Sequence, residues 1–396
     1  MNDLNRLAWF GASPRIAREL HAGQINLPSW EKIEKTMEKI FEREYFTNNG
    51  PLVQQFEQEF AAYLNVHHAV CVANGTFALM IMYKALDLKD EVIVPAYTFP
   101  ATVQALSWAG LKPVLCDVDP KTQIPSILNI ETCLTPQTSA IVLTHTWGRS
   151  AHSPEIETFA KKHGLKLAYD ACHGIGCIHN GQKIGSFGMA EAFSFHATKI
   201  INAAEGGCVV TNDDGLAVKL RASRSFHSCA QDPEGILRLN GKMSEAQAAL
   251  ALLSLEDLPL NLQANRIRYE AYRQALVGIP GVTLDDYNSG LNNHQYVNVF
   301  VDEAKAGLSR DKVFDLLAAE NIFCRRHFMP GMHNTPPYSN SLQNHKSMFK
   351  STDWLCRRIL QLPNSQNVSV EDVAIICDLL REIISLGPQI RLAKER

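Results

Sequence analysis

From His68 onward the chain alternates short apolar runs with amphipathic stretches, and this alternation narrows the architecture more than any other feature. Runs at residues 69–72, 92–94, 113–116, 140–143 and 165–169 have the length and β-branched content of buried strands. Helical stretches such as 76–86 and 154–163 lie between them. Successive strands separated by helices call for crossover connections. The expected fold is therefore α/β, with a mostly parallel sheet covered by helices on both faces. In such sheets ligands bind in the loops beyond the carboxyl ends of the strands, so the residues just after each run are the first place to look for chemistry.

Those loops carry suitable groups. After the first run, Ala73-Asn74-Gly75-Thr76 opens a helix whose free N–H groups and positive dipole end suit a phosphate, though an ordinary N-cap uses the same residues. After the second, Tyr97-Thr98-Phe99 puts aromatic rings at the sheet edge, where they stack on a flat ligand or pack into the core. After the fourth comes His145-Thr-Trp147-Gly148. The fifth leads into Asp170-Ala-Cys-His173-Gly174. A carboxylate that closes an apolar run is partly buried and needs a cationic or hydrogen-bonding partner. A protonated pyridine nitrogen is one such partner.

A further strand pattern runs into Ser194-Phe-His-Ala-Thr-Lys199, and Gly206-Gly207 opens another at 208–211. A lysine between two buried strands is short of water. Desolvation lowers its pKa and leaves a nucleophilic amine able to form a Schiff base, the alternative being a surface lysine on a loop. A phosphate cradle, a stacking ring, a buried acid and such a lysine are together what a pyridoxal phosphate enzyme requires.

Composition removes other classes. A net charge of -3 with 20% charged residues gives no basic field for nucleic acid and no polybasic membrane patch. No apolar run reaches spanning length, and Met1-Asn-Asp-Leu-Asn-Arg lacks an apolar signal core. With ten scattered cysteines, reduced thiols and a cytoplasmic location are expected. The spacing of Cys172, His173, Cys177 and His179 does not match a zinc ribbon or finger, and no metal is expected.

Before the alternation, Pro28-Ser29 caps a helix with Trp30, Ile33, Met37, Ile40 and Phe41 at helical spacing. Asn48-Asn49-Gly50-Pro51 is a turn, followed by a helix using Val53, Phe56, Phe60 and Leu64. Beyond residue 250 the pattern predicts a long helix over 252–276, broken near Pro259, with Arg266, Arg268 and Arg273 on its solvated face. A strand at 296–301, a helix at 310–320, a short strand at 322–324 and a helix at 370–384 complete a smaller α+β domain. Arg325 and Arg326 follow a strand and meet either a phosphate or solvent. The expected division is an N-terminal helical segment (1–50), a large cofactor-binding α/β domain (51–250) and a smaller C-terminal domain (251–396).

From about Asn48 to about residue 380 the sequence resembles the DegT/DnrJ/StrS sugar-nucleotide aminotransferases. The resemblance rests on Ser194-Phe-His-Ala-Thr-Lys199 with Glu205-Gly-Gly, Val94-Pro-Ala-Tyr-Thr-Phe-Pro-Ala-Thr102, Tyr169-Asp-Ala-Cys-His173 and Asn240-Gly-Lys-Met-Ser-Glu-Ala-Gln-Ala-Ala249, in the family's order. It implies the pyridoxal phosphate-dependent transferase fold of type I, that of aspartate aminotransferase. By this resemblance Lys199 holds the cofactor and later moves the proton. Asp170 pairs with the pyridine nitrogen, His173 lies near the phenolic oxygen, and Phe99 covers the ring. Gly75, Thr76 and Ser194 bind the phosphate. Asn240 reaches the phosphate of a neighbouring subunit, which implies a homodimer with shared active sites. Asn49, Gly50 and His333 lie where the family binds its sugar nucleotide. Asn74 departs from the commoner serine, and Lys242 stands where arginine is usual.

One branch of the family carries histidine in place of the lysine and removes a hydroxyl. Lys199 therefore favours amine transfer. The expected function is transfer from L-glutamate to the C-4 keto group of a nucleotide-linked 4-keto-6-deoxy-hexose, dTDP-linked by resemblance. The alternatives are a C-3 aminotransferase, a keto-sugar dehydratase and a non-catalytic cofactor-binding regulator.

Overall fold

The structure is a computed structural model, and it describes residues 3–23, 26–226, 233, 235–286, 290–341 and 348–393. A two-residue strand, β1 (Leu20–His21), comes first. It is followed by α1 (Trp30–Arg43) and α2 (Pro51–Leu64). The central alternation is β2 (His68–Val72), α3 (Gly75–Ala85), β3 (Glu91–Pro95), α4 (Pro100–Trp108), β4 (Lys112–Cys116), α5 (Ile127–Cys133), β5 (Thr138–Thr144), α6 (Pro154–Lys162) and β6 (Lys166–Asp170). A small hairpin, β7 (Ile178–His179) and β8 (Gln182–Lys183), precedes β9 (Glu191–Ser194), β10 (Gly207–Thr211) and α7 (Asp214–Ser223).

Seven of these strands form one sheet in the order β2-β10-β9-β6-β5-β3-β4. All neighbours are parallel except β10, which runs antiparallel to both β2 and β9. The two-residue period of a strand sends alternate side chains to opposite faces. Ala69, Cys71, Ile141, Leu143, Leu167 and Tyr169 enter one core, which α2 closes with Phe56 and Phe60. Val70, Val72, Ala140, Val142 and Ala168 enter the other, which α3 closes with Leu79 and Met82. A sheet buried on both faces explains why its strands read as apolar runs rather than as alternating patterns.

The predicted long helix is two helices, α8 (Glu245–Glu256) and α9 (Leu258–Ala275), which meet at Asp257 with Pro259 in the first turn of the second. Proline is tolerated there because first-turn amides have no intrahelical acceptor. Arg266 and Arg273 are exposed as expected, but Arg268 is buried. Its guanidinium donates to Asn364 Oδ1 (2.6 Å) and Asn265 Oδ1 (2.7 Å), so a polar network replaces the solvated face predicted for that residue. In α1 the expected cap forms, with Ser29 accepting from the Lys32 amide, but Trp30 and Phe41 remain exposed.

A second core surrounds the antiparallel sheet β11 (Val282–Leu284), β12 (Val297–Val301) and β14 (Ile359–Leu362), covered by the helices Arg310–Ala319 and Val370–Ser385. Leu4, Leu7, Ile16 and Leu20 belong to this core. The intervening strand β13 (Ile322–Phe323) pairs in parallel with β1, and buried Glu320 accepts the amides of Ala8 and Arg15, each at 2.8 Å. The opening residues thus pack with the C-terminal unit. Their scattered leucines have no partner face of their own. Between the two cores lies a small cluster of Tyr97, Val118, Trp147, Phe328, Leu355 and Ile359.

Candidate active site

The carboxyl ends of β3, β5 and β6, the start of α3, the β9–β10 connection and the segment after β13 enclose a cleft of about 520 Å³. Asp170, the last residue of β6, is buried at its floor. Its Oδ1 accepts the Cys172 amide (3.0 Å) and its Oδ2 accepts the Thr102 hydroxyl (2.7 Å). Thr102 lies 2.9 Å from the Thr98 hydroxyl, which lies 2.8 Å from that of Thr144. Since the single Thr102 proton is committed to Asp170, Thr98 donates to Thr102 and Thr144 to Thr98. This chain of hydroxyls fixes the carboxylate in one rotamer.

Lys199 follows β9 in a short turn and lines the same cleft. Burial lowers its pKa below the ordinary lysine value, and the charge of Arg325 pushes the same way, against the opposing pull of Cys172 and Asp170. The amine stands 3.4 Å from the Tyr296 hydroxyl, which burial keeps protonated well above the usual range. His173 accepts the Trp147 amide on Nδ1 (3.3 Å), so the neutral ring carries its proton on Nε2. Burial, with Lys199 and His327 nearby, holds its pKa well below the ordinary histidine value. The Trp147 indole stacks on both His173 (centroids 5.3 Å) and Phe328 (4.9 Å), whose own rings lie 6.3 Å apart. Its backbone is left-handed, with φ 59°, an uncommon conformation for a bulky residue.

Across the cleft, the Asn74 side chain caps α3 by accepting the Phe77 amide (2.9 Å). The Gly75 and Thr76 amides lie in the first turn and have no intrahelical acceptor. A Cβ on Gly75 would stand 2.8 Å from Ser194 Cβ, so only glycine lets the helix start this close to β9. Phe99 lies at the mouth, about half exposed, edge-on to His327 and Phe328.

These groups fit pyridoxal phosphate. First-turn amides and the Ser194 hydroxyl suit its phosphate, an anchored buried carboxylate suits its ring nitrogen, and an amine whose pKa burial lowers suits its aldehyde.

Of the sequence-predicted residues, the structure brings Gly75, Thr76, Phe99, Asp170, His173, Ser194 and Lys199 to this one cleft. It places four others elsewhere in the chain. Asn240 is exposed, its Oδ1 bound to Lys242 Nζ (2.5 Å). Asn49 accepts from Arg224 (2.9 Å). Gly50 caps α2, whose Leu52 and Val53 amides are held by Glu245. His333 is buried against Phe349 and bonded to Asp353 (3.0 Å). Sequence reasoning missed Tyr296, His327 and Phe328, which come from the second unit and carry no local motif.

The profile of the DegT/DnrJ/EryC1/StrS aminotransferase family matches residues 29–381. A dTDP-4-amino-4,6-dideoxy-D-glucose transaminase from Shigella dysenteriae is 34% identical over 369 residues, covering 93% of this chain and 100% of that protein. A dTDP-3-amino-3,6-dideoxy-alpha-D-galactopyranose transaminase from Aneurinibacillus thermoaerophilus is 32% identical, covering 88% and 94%. The crystal structure of DesI in the presence of its TDP-sugar product superposes with a TM-score of 0.94 at 38% identity, covering 98% of this chain and 99% of that one.

Proposed function

This chain belongs to the DegT/DnrJ/EryC1/StrS aminotransferase family, and we propose that its substrates are L-glutamate and a dTDP-linked 4-keto-6-deoxy-hexose, aminated at C-4. The protein is a pyridoxal phosphate-dependent sugar-nucleotide aminotransferase. The observation that carries the reaction is a half-buried lysine, its pKa lowered by desolvation, in one cleft with an anchored buried carboxylate. Supporting the C-4 acceptor is the full-length match to the Shigella transaminase, and supporting a TDP-linked sugar is the likeness to DesI, whose structure was determined in the presence of its TDP-sugar product. A C-3 acceptor is the second reading, favoured by the 32% identity to the Aneurinibacillus transaminase.

When bound, pyridoxal phosphate supplies the electron sink that stabilises charge developing at the donor's α-carbon and the acceptor's keto carbon. The chain's own residues do the rest. Lys199, its pKa lowered by burial, takes up the donor's α-proton on its amine and, in the second half-reaction, delivers a proton to the acceptor carbon. Asp170, fixed by Thr102 and the Cys172 amide, would face the ring nitrogen with its carboxylate. His173 offers its Nε2 proton to the cleft. Phe99, at the mouth, would cover the ring. Gly75, Thr76 and Ser194 would hold the phosphate.

We further propose a cytoplasmic homodimer in which Asn240 reaches the neighbouring phosphate and Asn49, Gly50 and His333 shape the sugar-nucleotide path. The exposure of Asn240, and of Trp30, Phe41 and Phe46 around α1, supports that assembly. Sedimentation of the protein as a monomer would refute it.

The functional test is a visible spectrum with pyridoxal phosphate, repeated after L-glutamate and then after a dTDP-linked 4-keto-6-deoxy-hexose. The lysine-linked band should form, bleach and return, and nuclear magnetic resonance of the product should place nitrogen at C-4. A band that bleaches without returning refutes the acceptor. Nitrogen at C-3 refutes the position. No band at all refutes the role of Lys199.

A further inference from the structure

We infer that Arg325 is the binding site for the α-carboxylate of the amino donor. The inference rests on the aminotransferase reading above and adds to it a residue for one substrate. Arg325 follows β13, and its backbone is fixed on both sides: its amide donates to the Gln361 carbonyl (3.0 Å) and its carbonyl accepts the Gln361 amide (2.8 Å). Its side chain lines the cleft with Lys199.

What sets Arg325 apart is that its guanidinium is unspent. Arg149 pairs with Asp285, Arg224 with Glu57, and both Arg310 and Arg326 with Asp311. Buried Arg268 donates to two asparagines. Among the described residues no carboxylate pairs with Arg325, although it is half-buried and its pKa is lowered by desolvation. Gly23 backs it from the opening segment. A Cβ there would lie 2.6 Å from the guanidinium carbon, so the chain presses directly on the group and limits its retreat. A planar fork of five donors withdrawn from water is matched by a carboxylate bound through two oxygens.

The choice of anion follows from position. On the aminotransferase reading, the first turn of α3 and Ser194, elsewhere in the cleft, would take the cofactor's phosphate. In an amino acid the carboxylate sits one carbon from the nitrogen that must replace Lys199. Arg325 and Lys199 line the same cleft, so the two ends of that short unit can be held at once. A keto-sugar offers no such anion, because its diphosphate is attached at C-1, across the ring from C-4. Holding the donor at both points also fixes the direction of its α C–H bond toward the lysine.

The experiment separates the two half-reactions. In Arg325→Gln the cofactor band should form as in the wild type. The L-glutamate concentration that half-bleaches it should rise about 10- to 100-fold, the range for losing a hydrogen bond to a charged group. Apoenzyme loaded with pyridoxamine phosphate should still react with the keto-sugar at the wild-type rate. Gly23→Ala, which displaces the guanidinium without removing it, should also raise the glutamate requirement. An unchanged glutamate requirement in Arg325→Gln, or a loss confined to the sugar half-reaction, overturns the assignment. If glutamate fails to bleach even the wild type, the donor reading has failed instead. Arg325 is then judged by succinate, an unreactive dicarboxylate titrated against the cofactor band. Equal affinity in wild type and Arg325→Gln overturns the assignment, and weaker affinity in the variant supports it.

Discussion

Asp170→Asn removes a charge while keeping the shape of the site. In the wild type each carboxylate oxygen accepts one hydrogen bond, from Thr102 (2.7 Å) and from the Cys172 amide (3.0 Å). An asparagine oxygen can keep the backbone bond. Its nitrogen then faces Thr102 and donates, and the Thr102–Thr98–Thr144 hydroxyls can turn to accept along the chain. The folding cost should stay near ~1 kcal/mol, with the thermal midpoint within about 3 °C of wild type. What cannot be replaced is the negative charge facing the ring nitrogen. Removing one partner of a buried ion pair costs about 3–5 kcal/mol, which at 1.36 kcal/mol per tenfold is about 10²- to 10⁴-fold in rate. The assay is a single-turnover reaction with L-glutamate, followed at the cofactor band after stoichiometric loading is verified. A rate within about threefold of wild type would refute the electron-sink role. Loss of cofactor binding, with the fold intact, would show that Asp170 acts in binding instead.

Lys199→Met should abolish turnover and change how apoprotein stability depends on pH. Because burial lowers the lysine's folded pKa, the unfolded chain binds the extra proton between that value and 10.5, so this residue makes wild-type stability rise with pH across that window. The variant should therefore be relatively more stable at low pH and lose that advantage as pH rises, as read by urea unfolding at several pH values. A pH-independent difference would show that Lys199 is not desolvated. Glu320→Ala removes the shared acceptor of the Ala8 and Arg15 amides and should cost about 1–3 kcal/mol in the same assay, with an unchanged midpoint counting against the docking of the opening segment. Glu245→Ala should cost about 1–2 kcal/mol by uncapping α2, and proteolysis near Asn49 should quicken.

The sheet was legible because burial on both faces leaves uninterrupted apolar runs, and the loops beyond them hold the polar residues that a ligand site needs. Asp170 could be read as buried because it closes such a run, and Lys199 because two strands flank it. The other half of the site was hidden for a physical reason. Tyr296, His327 and Phe328 reach the cleft only when the second unit docks, and no periodicity in their own segments records that contact. Arg268 misled for a related reason: its partner Asn364 lies 96 positions away. Trp30 and Phe41 keep helical spacing yet remain exposed, since an apolar stripe says that a face seeks cover without saying from where.

The parallel pairing of β1 with β13 also has a bearing on how the protein is born. Ala8 and the Glu320 carboxylate that holds it are 312 positions apart. At a synthesis rate of about 5–20 residues per second, the opening segment emerges roughly 15–60 s before its docking surface exists. Through that interval Leu4, Leu7, Ile16 and Leu20 have nowhere native to go. Folding chaperones are expected to shield these residues during that interval. The central sheet can complete itself meanwhile, which makes its assembly the early event and the closing of the second core the late one.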